Sequence, residues 1–577
     1  MKRNEQSDGR TAVRPSRFLR PVTEHPLLFL GAGVLSLLPD LLLLFRGLPE
    51  IHAVRNFFFC VLLAVFRSYL LTLPLLIPGG GFSWLRIGKR IYQTVVLSAI
   101  GLLAVAECFL LLRFDLRYTY YILLLLWETD LRESSEFLTA YAASPALLGP
   151  TAVAALAGIG LCALRRRLFA RFEAGRKTRL LLTILLLAGA GCYAARGCRQ
   201  YRMTLSDDYP SELFRSAATV SMFERLHTAT FWFRQQFSAE QAERLLRTLE
   251  TVEIQGCSFR SPCIVLIIGE SFNKHHSELY GYPLPTNPRL RERMERGELH
   301  LFREAETSAN ITSEVLTRFF SVADDIDRWA DAPLFPALFR KAGYAVCYLD
   351  NQSAGAHCDY YDVGLKPMFN SRSIPLLFTA ANDRTFPYDG ALVEEYDRIV
   401  PRNGTPELTI FHLMGQHMIY RARFPEEYAL FEADDIPRTD LDRDQRQTIA
   451  DYDNATRYND AVVDALIDRF ADRDAVVVYL SDHGEEIYDY RDFWGRSHGE
   501  ITPEVFRHQY EIPMMIWTSA SYRRNRPDLA ERIARAADRP FRSDDLSHLL
   551  LDLAGIRCRW SAPARSALDD RYAPSAR

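Results

Sequence analysis

Cys263-Ile264-Val265-Leu266-Ile267-Ile268-Gly269-Glu270-Ser271 and Ala475-Val476-Val477-Val478-Tyr479-Leu480-Ser481-Asp482-His483-Gly484-Glu485 share one pattern: an apolar run of strand length that ends in polar residues. A strand covered on one face alternates apolar and polar side chains. Unbroken runs instead predict central strands of a mostly parallel sheet covered on both faces. In open α/β sheets, sites form where the strands end at their carboxyl edge. Glu270, Asp482 and His483 are therefore expected to converge although they are remote in sequence. Two carboxylates and an imidazole suit Zn2+ and leave a position for a reacting oxygen.

Further strand-like runs at 345–348, 408–413 and 513–517 alternate with helical stretches, which extends the prediction to a doubly wound α/β domain over 256–577. No P-loop, dinucleotide fingerprint or internal repeat is present. The Arg-rich carboxyl end is interspersed with Asp and Ala, which reads as a solvated face and gives no reason to expect a nucleic-acid partner.

The remainder of the chain is different. A net charge of −3 and 48% hydrophobic residues over 577 positions average an apolar N-terminal third with a polar remainder. Apolar stretches at 26–46, 56–77, 94–113, 147–165 and 179–198 are each about 20 residues, enough to cross a ~30 Å hydrocarbon core. They predict a five-helix membrane domain over 26–198, after a cytoplasmic tail at 1–25 and before connecting or interfacial helices at 199–255. Basic clusters before the first span, between the second and third, and between the fourth and fifth fall on one side if that side is cytoplasmic. An odd number of crossings then places the 256–577 domain outside the cytoplasm. Asp40 and Arg67 lie within apolar segments and are expected to pair. Cys347 with Cys358 is the candidate disulfide of the exported part. There is no Cys-x-x-Cys pair to suggest a thiolate zinc site.

A metal-assisted transferase or hydrolase needs a nucleophile. Thr312-Ser313-Glu314 has a helix-start pattern, and a threonine there combines backbone N–H groups for a phosphate with a hydroxyl that zinc would activate. An ordinary N-cap threonine is the alternative. Thr307, followed by Ser308, is a rival nucleophile. His412, on an apolar strand, is expected to be a satisfied core residue; His275, His276 and His508 are expected at the surface or rim. Glu485 and Glu486 are candidates to orient His483.

Gly269-Glu270-Ser271-Phe272-Asn273, Leu279-Tyr280-Gly281-Tyr282-Pro283, Thr312-Ser313-Glu314-Val315-Leu316, Met414-Gly415-Gln416-His417, Tyr452-Asp453-Asn454 with Tyr458-Asn459-Asp460, and Ser481-Asp482-His483-Gly484-Glu485-Glu486 together resemble the phosphoethanolamine transferases of the Gram-negative envelope. Those enzymes belong to the alkaline phosphatase/sulfatase superfamily. The resemblance implies that Thr312 carries a covalent phosphoethanolamine and that Glu270, Thr312, Asp482 and His483 hold zinc. It also implies that His417 and His498 bind the phosphate or a second metal. Asn273, grouped with the substrate-binding residues, and the form of the Thr312 segment are closer to the lipopolysaccharide-core branch than to the lipid A branch, whose Cys-Gly-Thr is absent. Thr129 and Glu133, between the third and fourth spans, match the family's donor-headgroup stretch, although Leu125 replaces its asparagine.

The implied protein is a monomeric, multi-pass enzyme of the bacterial inner membrane with its catalytic domain in the periplasm. It would take phosphatidylethanolamine as donor and lipopolysaccharide, on a core sugar or lipid A, as acceptor. A phosphoglycerol transferase or sulfatase-like phosphodiesterase is the alternative. The sulfatase nucleophile motif Cys-x-Pro-x-Arg is absent, and a catalytically dead sensor would not retain every ligand type.

Overall fold

The computed structural model describes residues 17–45, 51–77, 83–114, 116–119, 122–123, 126, 135, 137, 141–170, 176–203, 222–223, 225–227, 229–230, 239–352, 368–400, 404–497 and 501–574. Thr129, Glu133, Cys358 and His498 lie outside the described residues. The chain forms two compact units. The first is Met1–Leu123 with Leu131–Phe233, and the second is Arg234–Arg577 with Leu124–Asp130.

All five apolar segments are helical. They fall in α1 (Pro26–Ser36) and α2 (Leu38–Phe45), α3 (Ile51–Thr72), α4 (Ser83–Phe114), α5 (Pro145–Ala170) and α6 (Arg176–Met203). By length and apolarity, two spans among the described residues, Phe57–Leu76 and Ser83–Phe114, suffice to cross a membrane, or three if α1 and α2 count as one. That pair bends by 41° where Pro39, which has no N–H to donate, opens α2. Leu102, Leu156, Ile159 and Leu187 are exposed, as hydrocarbon would favour.

The expected Asp40–Arg67 pair does not form. Asp40 meets Arg117 and Arg225. Arg225 reaches Glu107 with two bonds, Nε to Oε1 at 2.6 Å and Nη2 to Oε2 at 2.7 Å. Arg67 instead lies over the rings of Tyr193 and Phe223 at 5.8 and 5.5 Å. Buried charges are tolerable only in such paired arrangements.

In the second unit, a seven-stranded sheet is made of β1 (Cys263–Gly269), β2 (Leu299–Phe302), β3 (Ala345–Asp350), β4 (Ala380–Ala381), β5 (Glu407–His412), β6 (Ala475–Ser481) and β7 (Met514–Thr518). Their order across the sheet is β2-β7-β6-β1-β5-β3-β4. β1 sits centrally, parallel to β5 and β6, and every one of its residues is buried. Ile264, Leu266 and Ile268 pack into the core on one face, and Cys263, Val265 and Ile267 into the core on the other, as period-2 geometry dictates for a doubly covered strand. The sheet is mixed, because β7 runs antiparallel to both β6 and β2. β6 ends at its carboxyl edge and β7 begins there, with Met514 opposite Leu480; a parallel strand would have to begin at the far edge.

Two helices frame that edge. α7 (Thr312–Phe320) buries Val315, Leu316, Phe319 and Phe320 in the first core, and α8 (Arg443–Asp468) buries Ala455, Val462, Val463 and Leu466 in the second. The segment Ala239–Thr251 also belongs to this unit, with Leu245 and Leu249 fully buried in the first core. Cys347 is a free buried thiol on β3.

Candidate metal centre

Register brings the two quoted motifs together. Gly269 pairs with Ser481 across β1 and β6, so Glu270 and Asp482 leave the sheet side by side. The turn is fixed by hydrogen bonds between the two chains: Asp482 N donates to Gly269 O at 3.0 Å, and Ser271 N to Asp482 Oδ1 at 3.1 Å. Ser271 adopts the left-handed region at φ 57°, which is costly for a non-glycine residue. Tyr452 of α8 holds it there, since its hydroxyl donates to Ser271 O at 2.6 Å and accepts from Asn273 N at 2.7 Å.

Glu270, Asp482 and His483 are each 0% exposed and present one ligand atom apiece within 4.8 Å of one another. His483 Nδ1–H donates to Gly484 O at 2.9 Å. In that tautomer the Nε2 lone pair faces Asp482 Oδ2 at 3.1 Å and Glu270 Oε1 at 3.4 Å. Thr312 Oγ1 lies 3.4 Å from the same Nε2 and donates to Glu270 Oε2 at 3.0 Å. Ligands of a tetrahedral Zn2+ with ~2.0–2.1 Å bonds sit roughly 3.3 Å apart, which matches these separations. Asp482 Oδ2 is buried without a hydrogen-bond partner among the described residues, and a buried carboxylate oxygen facing a lone pair calls for a cation. The residues therefore fit a metal ion.

Electrostatics point the same way. Burial, and then the Glu270 charge, push the Asp482 carboxyl well above its usual range. Burial would also raise Glu270, but His483, His417 and Arg496 around it outweigh burial and hold it low. Burial, and then Arg496, bring His483 down to about 4, so it is neutral and ligand-competent at pH 7.

Thr312 is the first residue of α7, after the N-cap Ile311; it is not the cap, and its hydroxyl is committed to the carboxylate cluster. Thr307 is 1% exposed and accepts from Ser543. Gly415 has φ 49°, and a Cβ there would stand 2.8 Å from Glu270 O. Its lack of a side chain lets the 413–417 loop lie against Glu270, with Gln416 N on Glu270 O at 3.0 Å. His417, on that loop, is close enough to Glu270, Arg496 and His483 for their charges to act on its ring. Asn273 is 0% exposed, and its side chain is engaged by His275 N, Asp489 and His508.

Several second-layer expectations change. His483 is oriented by the Gly484 carbonyl, whereas Glu486 binds Arg491 and Gln509. His276 is buried between Asp453 at 2.8 Å and Asp489 at 3.2 Å, and His508 is also buried, against Asp489. Only His275 of the three is partly exposed. His412 is a core residue paired with Asp350 through Nδ1, but it is not fully satisfied, since its Nε2 is buried without a hydrogen-bond partner among the described residues.

Two residues of the centre escaped the sequence reading. Gln352 donates to Glu270 Oε2 at 3.1 Å and to Leu413 O at 2.8 Å. Arg496 places Nη1 2.8 Å from His483 Nε2. Both come from irregular segments, where no periodicity marks the position of a side chain; the only signal was that Arg496 adjoins the Ser497-His498 run.

Comparison with known proteins agrees with this architecture. The chain is 28% identical over 333 residues to phosphoethanolamine transferase EptC of Escherichia coli (strain K12), covering 54% of each chain. It is 26% identical over 275 residues to the Kdo(2)-lipid A phosphoethanolamine 7''-transferase of the same organism, covering 45% of each. The chain thus matches about half the length of these relatives. Among solved structures, the integral membrane protein lipooligosaccharide phosphoethanolamine transferase A (EptA) from Neisseria meningitidis shares the fold, with a TM-score of 0.61 at 18% identity over 93% of this chain and 98% of that one. A model of the family described as Sulfatase matches residues 262–556, from the start of the central strand β1 to beyond β7, with every residue of the metal centre inside it. The chain belongs to the sulfatase family.

Proposed function

We propose that this protein transfers phosphoethanolamine from phosphatidylethanolamine to a lipopolysaccharide component, a core sugar or lipid A, through a covalent intermediate on Thr312. The observation that carries the reading is the position of Thr312 Oγ1, half-buried at a helix start, 3.0 Å from Glu270 Oε2 and 3.4 Å from His483 Nε2. The names of the two relatives above, both phosphoethanolamine transferases, support the choice of group transferred.

Glu270, Thr312, Asp482 and His483 would hold zinc. When bound, the metal would lower the pKa of the threonine hydroxyl and offset charge on the phosphoryl oxygens. The protein supplies the rest. The proton on Thr312 Oγ1 is directed at Glu270 Oε2, its nearest acceptor when the oxygen attacks phosphorus. The first N–H groups of α7 have no partner within the helix and would be available to a phosphoryl oxygen bonded to Thr312. The Thr312 Oγ–P bond forms as the bond to diacylglycerol breaks, and diacylglycerol leaves with a proton. An acceptor hydroxyl then attacks the same phosphorus, its O–P bond forming as the Thr312 Oγ–P bond breaks and its proton passing to the freed Thr312 oxygen. His417 and His498 are assigned to the phosphate. Asn273 is assigned to supporting the site, and Thr129 and Glu133 to the donor headgroup. The apolar helices would anchor the chain in the bacterial inner membrane with the second unit in the periplasm.

Full-length protein incubated with phosphatidylethanolamine and lipopolysaccharide should add the mass of phosphoethanolamine to the acceptor and release diacylglycerol. Addition of a glycerophosphate mass, or release of product without any transfer, would favour a phosphoglycerol transferase or a phosphodiesterase instead.

A further inference from the structure

Arg496 stands on the atom a metal would claim. With Nδ1–H given to Gly484 O, the Nε2 lone pair of His483 is the ring's only coordinating position, and Arg496 Nη1 approaches it at 2.8 Å. The same Nη1 donates to Asn310 O at 3.3 Å, two residues before Thr312, so the guanidinium is moored beside the start of α7. It also acts electrostatically on Glu270, Asp482, His483 and Glu485. A neutral imidazole nitrogen cannot serve a guanidinium and a metal ion with one lone pair. Arg496 must therefore leave Nε2 when the centre fills.

We propose that Arg496 has two stations: it caps His483 Nε2 in the metal-free centre, and on metal binding it turns its guanidinium onto the phosphoryl group beside Thr312. The destination follows from charge and reach. Two ligand carboxylates balance a divalent ion, which leaves the anionic phosphodiester uncompensated, and charge on phosphoryl oxygens is what arginines stabilise in phosphoryl transfer. Nη1 and Thr312 Oγ1 contact the same Nε2, at 2.8 and 3.4 Å, a separation that one phosphoryl group bridges. Arg496 then makes the centre selective in two ways: it competes with the metal when the centre is empty and recruits an oxyanion when it is full. This inference rests on the phosphoryl-transfer reading above.

The test uses full-length Arg496→Gln and Arg496→Lys, with zinc affinity measured by chelator competition and inorganic phosphate affinity measured on the zinc-loaded protein. Arg496→Gln should bind zinc at least as tightly as wild type, because a competitor is gone, and should bind phosphate about tenfold more weakly. Arg496→Lys, which keeps the charge without the planar fork, should fall between on phosphate. Zinc affinity that falls in both variants would make Arg496 a structural part of the metal site and overturn the proposal, as would unchanged phosphate affinity. If wild type shows the Arg496-dependent phosphate binding but never acquires phosphoethanolamine, the transfer reading fails while the two-station reading stands.

Discussion

At the scale of single residues, the centre depends on an excess of acceptors. The His483 Nε2 lone pair faces Asp482 Oδ2 at 3.1 Å and Glu270 Oε1 at 3.4 Å, an arrangement that a metal ion between them would satisfy. Asp482→Asn should therefore lose tightly bound zinc, measured by metal analysis after dialysis, together with activity, while folding is kept because the amide retains the Oδ1 acceptor for Ser271 N and removes a carboxyl that burial disfavours as an anion. The ion triplet behind the site gives a separate test. Burial alone would lower His276, but Asp453 and Asp489 raise it to about 10, from an ordinary value of 6.5. A histidine with a raised folded pKa stabilises fully below pH 6.5 and loses that contribution as pH rises to about 10. Thermal melts of wild type should decline across that window, and His276→Gln should show a flatter profile from a lower start. The convergence of Glu270, Asp482 and His483 was legible in the sequence because they follow two apolar strands; the burial of His276 was not, since it is decided by Asp453 on a helix and Asp489 in a loop, both remote in sequence.

At the scale of elements, the position of one loop rests on a glycine. A Cβ at Gly415 would stand 2.8 and 2.9 Å from backbone atoms of Glu270, and φ 49° is unfavourable for any side chain. Gly415→Ala should push the 413–417 loop off Glu270 and weaken zinc binding by about 10–100-fold, the usual cost of disturbing a ligand's support, measured by chelator competition. The helix Ala239–Thr251 makes a second case. Its polarity makes it read as part of a connector, yet Leu245 and Leu249 are 0% exposed in the core of the second unit. A fragment starting at residue 234 should melt well above one starting at 256, since each buried leucine contributes about 1.5–3 kcal/mol. β1, β3, β5, β6 and β7 were readable from apolar runs; β2 and β4, short strands without an unbroken apolar run of strand length, were not. The reversed direction of β7 was not, because it depends on where the preceding chain ends in space.

For the whole molecule, chemistry should be separable from presentation. Every residue of the candidate metal centre lies within 234–577, while Thr129 and Glu133 belong to the sequence between two apolar helices. A fragment from residue 234 should cleave a small soluble phosphodiester slowly, and full-length Glu133→Ala should keep that activity while losing transfer from phosphatidylethanolamine in bilayers, because positioning alone can supply several kcal/mol of barrier reduction. The central claim is that Thr312 carries the group in transit. Zinc-loaded protein given phosphatidylethanolamine without acceptor, then digested and read by mass spectrometry, tests it directly. The account predicts a phosphoethanolamine adduct on Thr312 that disappears when lipopolysaccharide is added and never forms in Thr312→Ala. An adduct on Thr307, or transfer to lipopolysaccharide by Thr312→Ala at the wild-type rate, would contradict it.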